Sequence, residues 1–231
     1  MIKKRIVALL PMKANSERIK GKNFKNFNGK PLFRWTLDTL LAVKEIDQVI
    51  INTDARDILL KNGLTETDRI VIRDRKREIC GDFVSMNQII NDDVKNVDAD
   101  VYLMTHTTNP LMSSDTVKNA LSAFQKEKNI KSETDSLFTV NKVQTRFYRE
   151  DCSAVNHDPS VLLRTQDLEP WFEENSNLYI FTKESFGKTS RRIGQKPMMY
   201  ETPMFASIDI DSPEDWDLAV IASTYFFGDG E

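Results

Sequence analysis

Short apolar runs recur along the chain, with stretches of helical period between them. Ile6 to Leu10, Val49 to Asn52, Ile70 to Ile72 and Val101 to Met104 are continuous and mostly β-branched, as strands buried on both faces are. Between them, Leu32 to Val43 carries Phe33, Leu37, Leu40 and Leu41 on one helical face, and Ala55 to Asn62 and Val84 to Val94 are shorter helix candidates. This alternation predicts an α/β fold with a Rossmann-like, doubly wound, mostly parallel sheet. A fifth unit follows, in which Ser113 and Ser114 can cap a helix to about Lys128 and strand-like alternation resumes over Leu137 to Val143. From Gln144 to Glu174 the periodicity breaks: the stretch is polar, holds Pro159 and Pro170 with scattered aromatics, and reads as an arm or lid projecting from the sheet. Leu178 to Phe181 and Met204 to Ile210 return as strands. Pro213 opens a last helix through Phe226, with Ser212 as N-cap and Glu214 and Asp215 in its first turn. No repeat or low-complexity segment interrupts the chain, and its 231 residues suit a single domain, 1–231, with 144–174 as the appendage.

Composition narrows the partners. With 40% hydrophobic residues and a formal charge of -3, the chain has no global field to attract nucleic acid or an acidic membrane surface. Met1 to Arg5 is basic, but the apolar run Ile6 to Met12 ends at Lys13, too short for a signal peptide or a membrane span, so a cytoplasmic protein is expected. Cys80 and Cys152 stand far apart, without CxxC or metal-ligand spacing, and read as packing residues without chemistry.

Two segments carry the candidate chemistry. The loop after the first strand, Met12 to Asn23, holds Lys13, Arg18, Lys20 and Lys22 with Asn15 and Ser16. In an open α/β sheet ligands bind at that position, where backbone N–H groups can wrap a polyphosphate while lysines neutralise it; a solvated basic loop is the plain alternative. Gly187-Lys188-Thr189 resembles the end of a P-loop, but Thr182 stands where the first glycine should be and the strand-to-helix setting is missing. Late in the chain, Asp209-Ile210-Asp211 presents carboxylates two residues apart, which an extended segment points to one side, suiting Mg²⁺. Asp98-Ala99-Asp100 has the same spacing but precedes a strand, at the end opposite the ligand crevice.

Taken in order, these segments resemble the acylneuraminate cytidylyltransferase family from about Ile6 to Ala222. The family's Arg-Gly-Gly-Ser-Lys-x-Ile-x-x-Lys-Asn is similar to Lys13 through Asn23, followed by Gly29-Lys30-Pro31-Leu32. Its Ser-Thr-Asp appears as Asn52-Thr53-Asp54, and its Arg-Pro-x-Glu-Leu-Ala-x-Asp as Arg75 through Asp82. Its Gln-Pro-Thr-Ser-Pro-Leu corresponds to His106 through Leu111, and its Asp-Ile-Asp-Thr-Pro-Glu-Asp to Asp209 through Asp215, the most specific match. Arg164 to Leu168, Asn175 and Tyr179 echo further family segments. The chain departs from the pattern at Lys13, Glu17, His106, Thr165 and Glu173, so the nucleotide half is better matched than the acceptor half.

The resemblance implies a nucleotidyltransferase-type fold and transfer of CMP from CTP to an acidic sugar, of sialic-acid or Kdo type, with release of pyrophosphate. It implies Mg²⁺ on Asp209 and Asp211, catalytic roles for these two with Lys13 and Lys22, and nucleotide binding by Asn15, Ser16, Asn23, Arg75 and Asp82. Arg75 is matched to the cytosine-reading arginine, with Arg73 a competitor. His106, Thr108, Arg164, Gln166 and Asn175 would meet the acceptor, and segment 144–174 would join two chains in a homodimer. Rival readings are a cytidylyltransferase for another anion such as a phosphonate, a metal-dependent glycosyltransferase, and a nucleotide-binding protein without turnover.

Overall fold

The structure, a computed structural model, describes residues 3–131 and 133–227; Met1 and Ile2 of the basic N-terminal stretch lie outside the described residues. Strands β1 (Ile6–Leu9), β4 (Gln48–Thr53), β5 (Ile70–Asp74), β6 (Val101–Thr105), β7 (Ser136–Val143), β8 (Trp171–Thr182) and β9 (Pro197–Glu201) form one sheet in the order β5-β4-β1-β6-β8-β7-β9. The first four pair in parallel, β8 runs antiparallel to β6 and β7, and β9 is parallel to β7. Two-residue strands β2 (Asn26–Phe27) and β3 (Lys30–Pro31) make a separate hairpin.

The apolar runs are continuous because helices cover both faces. In β1, Ile6 and Ala8 face one cluster while Val7 and Leu9 face the other. The first cluster takes Phe33, Leu37 and Leu40 from α1 (Leu32–Ala42), Leu59 from α2 (Arg56–Lys61), and Val117, Leu121 and Phe124 from α4 (Ser114–Ile130). The second takes Ile90 and Val94 from α3 (Met86–Asn96) and Phe186 from α5 (Lys183–Thr189). Ser113 caps α4 by accepting from Thr116 N at 3.1 Å, and Ser212 caps α6 (Pro213–Phe227) by accepting from Asp215 N at 3.2 Å. A third cluster joins the chain's two ends: Ile19, Phe27 and Leu32 pack on Ile210, Trp216 and Ala219, with Phe27 edge-on to Trp216 at 5.5 Å.

Three expectations are corrected. Met204 to Ile210 is not a strand: a 3-10 turn, Met204–Ser207, runs into extended chain whose Ile210 N donates to Thr108 O at 2.9 Å. Pro203 starts that turn, and Met204 is too exposed to join a sheet. The edge strand is β9, where only Met198 and Tyr200 turn inward, so its alternation is too short to stand out. The arm is shorter than 144–174, because β8 starts at Trp171 and pairs back through Val143↔Trp171 and Val140↔Glu174. Cys152 is not a packing residue; it is exposed at a positive φ of 66°, and Cys80 is half-buried. Gly187, Lys188 and Thr189 lie within α5, not in a phosphate loop.

The register of β7 on β8 shifts between Phe138 and Val140, a bulge that holds Ser176 at φ 56°, and before it β8 pairs with β7 alone. Strand order reverses at β1, with β4 on one side and β6 on the other, so the crevice beyond the carboxyl ends of β1 and β6 is the ligand position of this architecture.

Candidate active site

A cavity of about 310 Å³ opens at that crevice. The loop after β1 forms one wall. Leu10 N and Met12 N continue the ladder onto Ile50 O and Asn52 O, and Ala14 N then donates to Asp54 Oδ1 at 2.7 Å, which turns the chain outward. Gly21, at φ 63°, reverses it into the 3-10 turn Lys22–Phe24, and the buried Ile19 and Phe27 seat it on the third cluster. Asn23 ties the two sides together, donating to Lys13 O at 2.8 Å and accepting from Thr107 Oγ1 at 2.6 Å. Asn23, expected to contact the nucleotide, is used here to brace the loop against the turn after β6.

The carboxylate segment meets this loop from below. Lys22 Nζ, on a side chain only 10% exposed, donates to Ile210 O at 2.5 Å and lies 3.2 Å from Asp211 Oδ1. Arg18 Nη2 reaches Asp211 Oδ2 at 3.1 Å. Asp209 sits deeper: burial raises its carboxyl above the usual range, a Thr108 hydrogen bond opposes the rise, and the Asp211 charge adds to it. Its Oδ1 is buried without a hydrogen-bond partner. Thr108, expected at the acceptor, lines the cavity but also steadies Asp209.

Lys13 pairs with Asp82 across the cavity mouth, and this contact holds the Asp82 carboxyl below its usual range. Glu17 faces the same space. Arg75 lines the cavity with its guanidinium locked, Nε to Asn52 Oδ1 at 3.0 Å and Nη2 to Asn52 O at 2.8 Å and Met12 O at 3.1 Å. Arg73 does not compete for that position; its Nη2 lies 2.7 Å from Asp92 Oδ2 on α3. Behind Arg75, Asn52 Nδ2 donates to the buried Asp93 at 2.8 Å. Burial pushes the Asp93 carboxyl up to about 6.

His106 lines the same cavity, within reach of the Asp211 and Lys22 charges. Burial, and then the nearby Arg192 charge, lower it to about 4, so the ring is neutral at pH 7.

The cavity thus gathers Lys13, Ser16, Lys22, Asn23, Arg75, Asp82, His106, Thr108 and Asp211. Asn15 is exposed on the loop outside the lining, where Ala14's tie to Asp54 leaves it. Asn175 turns into its own sheet, donating to Asn141 Oδ1 and Thr202 Oγ1 and accepting from Asn177 N. Arg164 grips Asp167 with both arms of its fork, at 2.7 and 3.0 Å, and Gln166 is exposed nearby on the arm, so neither reaches the cavity of its own chain. Two residues were missed: Arg18, passed over as one more loop cation, and Arg192, in a loop without periodicity.

A family described as cytidylyltransferase matches residues 7–214. The chain belongs to the cytidylyltransferase family. It is 23% identical over 246 residues to the 3-deoxy-manno-octulosonate cytidylyltransferase of Christiangramia forsetii, covering 94% of this chain and 96% of that one. It is also 23% identical to the pseudaminic acid cytidylyltransferase of Campylobacter jejuni, covering 93% of this chain and 94% of the relative. Among solved structures, a CMP:2-keto-3-deoxy-manno-octonic acid synthetase complexed with CTP matches with a TM-score of 0.67 at 12% identity, covering 96% of this chain and all of that one. A 4-diphosphocytidyl-2C-methyl-D-erythritol synthase from Anaerococcus prevotii gives 0.64 at 16%, covering 96% and 97%. At these identities the structural matches establish the nucleotidyltransferase fold.

The cytidylyltransferase's own charges are balanced in this arrangement: Lys13 by Asp82, Arg18 and Lys22 by Asp211, and Arg75 by carbonyl oxygens. A bound triphosphate would take over these cations. Among the described residues no helix is long and apolar enough to cross a membrane.

Proposed function

We propose that the chain transfers CMP from CTP to the hydroxyl of an acidic sugar. The observation that carries this reading is the meeting, at the switch point, of a cation-rich loop with Asp211 in one cavity, while Asp209 sits behind the lining with its Oδ1 buried and unpartnered. An orphaned carboxylate oxygen beside a second carboxylate is a fit for a divalent cation, and Asp209 and Asp211 would hold Mg²⁺. Among the described residues no cluster of three or more His, Cys, Asp or Glu could hold a metal, so water and phosphate oxygens would complete its shell. Such an ion neutralises charge on the phosphate oxygens. Lys13, Lys22 and Arg18 hold the triphosphate, Arg75 presents a fixed guanidinium to the base, and Asn23 keeps the loop at its distance from Thr107. The acceptor oxygen then forms a bond to the α-phosphorus as the bond to the β-phosphate oxygen breaks, and the hydroxyl proton passes to solvent. His106, at about 4, is too weak a base to take that proton near neutrality and serves to bind the acceptor.

The acidic acceptor rests on the relatives, which act on 3-deoxy-manno-octulosonate, pseudaminic acid and, in Legionella pneumophila, N,N'-diacetyllegionaminic acid. A glycosyltransferase is disfavoured by family membership, and the retained carboxylate pair favours turnover over mere binding. Since Arg164 and Gln166 lie outside their own chain's cavity, they would act on a second subunit's acceptor if arms are exchanged in a homodimer. The test is pyrophosphate release with Mg²⁺, each of CTP, UTP, ATP and GTP, and a panel of these sugar acids plus a phosphonate. Release with CTP and a sugar acid is expected; equal rates with all four nucleotides, or with the phosphonate alone, would overturn the reading.

A further inference from the structure

Arg192 is the guanidinium near the cavity that is least well used. Its Cζ lies 3.8 Å over the Tyr179 ring, and its backbone N donates to Asn87 Oδ1 at 3.3 Å. Stacking and anchoring fix its position and leave the planar fork free to bind. The polar contacts of that fork are all long: Nη1 to His106 Nε2 at 3.4 Å and to Met104 Sδ at 4.0 Å, and Nη2 to Glu174 Oε1 at 3.5 Å. Ordinary charge-assisted bonds are about 2.7 to 2.9 Å. Glu174 Oε1 also accepts from the Tyr179 hydroxyl, and its contact with Arg192 is one long, single-oxygen contact at 3.5 Å, not a fork-to-fork pair.

The contrast with the other cations gives Arg192 its direction. Arg18, Lys22 and Arg75 lie within 3.2 Å of a carboxylate or carbonyl oxygen, and Lys13 is paired with Asp82. Those four line the cavity where the loop after β1 meets Asp211. Arg192 stands outside that lining, against His106, with a side chain about one-fifth exposed. A stacked guanidinium whose fork makes only long contacts, one of them to His106 Nε2, is a two-pronged donor for a planar anion.

We propose that Arg192 is a specificity-determining residue that receives the carboxylate of the acidic acceptor, with His106 beside it, and so makes acidity a requirement for turnover. This rests on the function proposed above and adds to it the group that reads the acid. Glu174 acts as an internal stand-in, loosely held at 3.5 Å, that an incoming carboxylate displaces. The sequence-matched Arg164 is on the arm and spent on Asp167, so within one chain the acid is read from the loop after α5 instead.

The experiment is a substrate-by-mutant cycle on the full chain. The probes are 3-deoxy-manno-octulosonate, pseudaminic acid, N-acylneuraminate and N,N'-diacetyllegionaminate, each with its methyl ester. Wild type is expected to favour acid over ester by about 10- to 100-fold in kcat/KM, the range of a hydrogen-bonded charge in a part-buried site. In Arg192→Met that ratio should collapse to near one, with Arg192→Lys between them and CTP affinity by calorimetry unchanged within about twofold. An undiminished ratio in Arg192→Met, or a parallel fall in CTP affinity, would overturn the assignment, the second by showing a merely structural role. If Arg192→Met fails to fold, the ratio measured in Arg192→Lys decides by the same criterion. Wild type inactive on every acid would refute the function proposed above, and this inference with it.

Discussion

Asp93 offers a measurement that isolates one buried group. The carboxylate is 1% exposed; its Oδ1 accepts from Asn52 and lies 3.2 Å from Arg73 Nε, while its Oδ2 has no partner. Burial raises it from 3.8 to about 6, against the opposing Asn52 bond and Arg73 charge. A raised folded-state value means that the neutral carboxyl suits the fold. Its contribution to stability is present in full below the unfolded value of 3.8 and is lost as pH rises through about 6. At about 1.4 kcal/mol for each tenfold in proton affinity, the loss is on the order of 3 kcal/mol by pH 7.5. Asp93→Asn keeps the shape, keeps an acceptor for Asn52 Nδ2 and abolishes the ionisation. Urea unfolding of both proteins in half-unit steps from pH 4 to pH 8 gives a difference curve from which other titrating groups largely cancel. The variant should gain about 3 kcal/mol relative to wild type across that range, most of it between pH 4.5 and 6.5. A flat difference curve, or one falling with pH, would refute the reasoning, because either result requires a carboxylate that is already well satisfied when charged.

The remaining predictions concern the site and the assembly. Asp209→Ala and Asp211→Ala should each lower turnover by about two orders of magnitude or more at limiting Mg²⁺, with thermal midpoints retained; near wild-type rates would remove the metal assignment. Replacing residues 145–169 by a short turn between β7 and β8 should yield a monomer by light scattering at micromolar concentration and abolish activity, since the segment removed carries Leu162, 89% exposed, and Leu163, 47% exposed. A monomeric wild type with full activity would assign the acceptor pocket to one chain.

What was legible followed from burial and from chain-local chemistry. Ile6 to Leu10 and Val101 to Met104 announced parallel strands because both their faces are covered, and helix caps such as Ser113 were legible because capping is local. The Asp209 and Asp211 pair was readable from its spacing and from the proline-started helix after it. Asn175 misled because a matching residue type does not fix which way a side chain turns, and here Asn141 and Thr202 claim it. Arg192 was invisible for the opposite reason. Nothing around Arg191 and Arg192 is periodic, and the role comes from His106, 86 residues away, and from the Tyr179 ring. The edge strand β9 failed by brevity, with two inward residues against a polar approach.

The third cluster, in which Phe27 and Trp216 lock the first loop to the last helix, also sets when the protein becomes an enzyme. Lys22 and Asp211 meet across 189 residues, so this contact closes a long loop and forms late. During synthesis every strand of the sheet has been made once Glu201 is added, before either aspartate exists. A nascent or prematurely ended chain can therefore hold a nearly finished sheet while its phosphate loop lacks both its seat and its carboxylates. In such fragments the cavity beyond β1 lacks one wall, which is completed in a single late step when Ile210, Trp216 and Ala219 dock under the first loop.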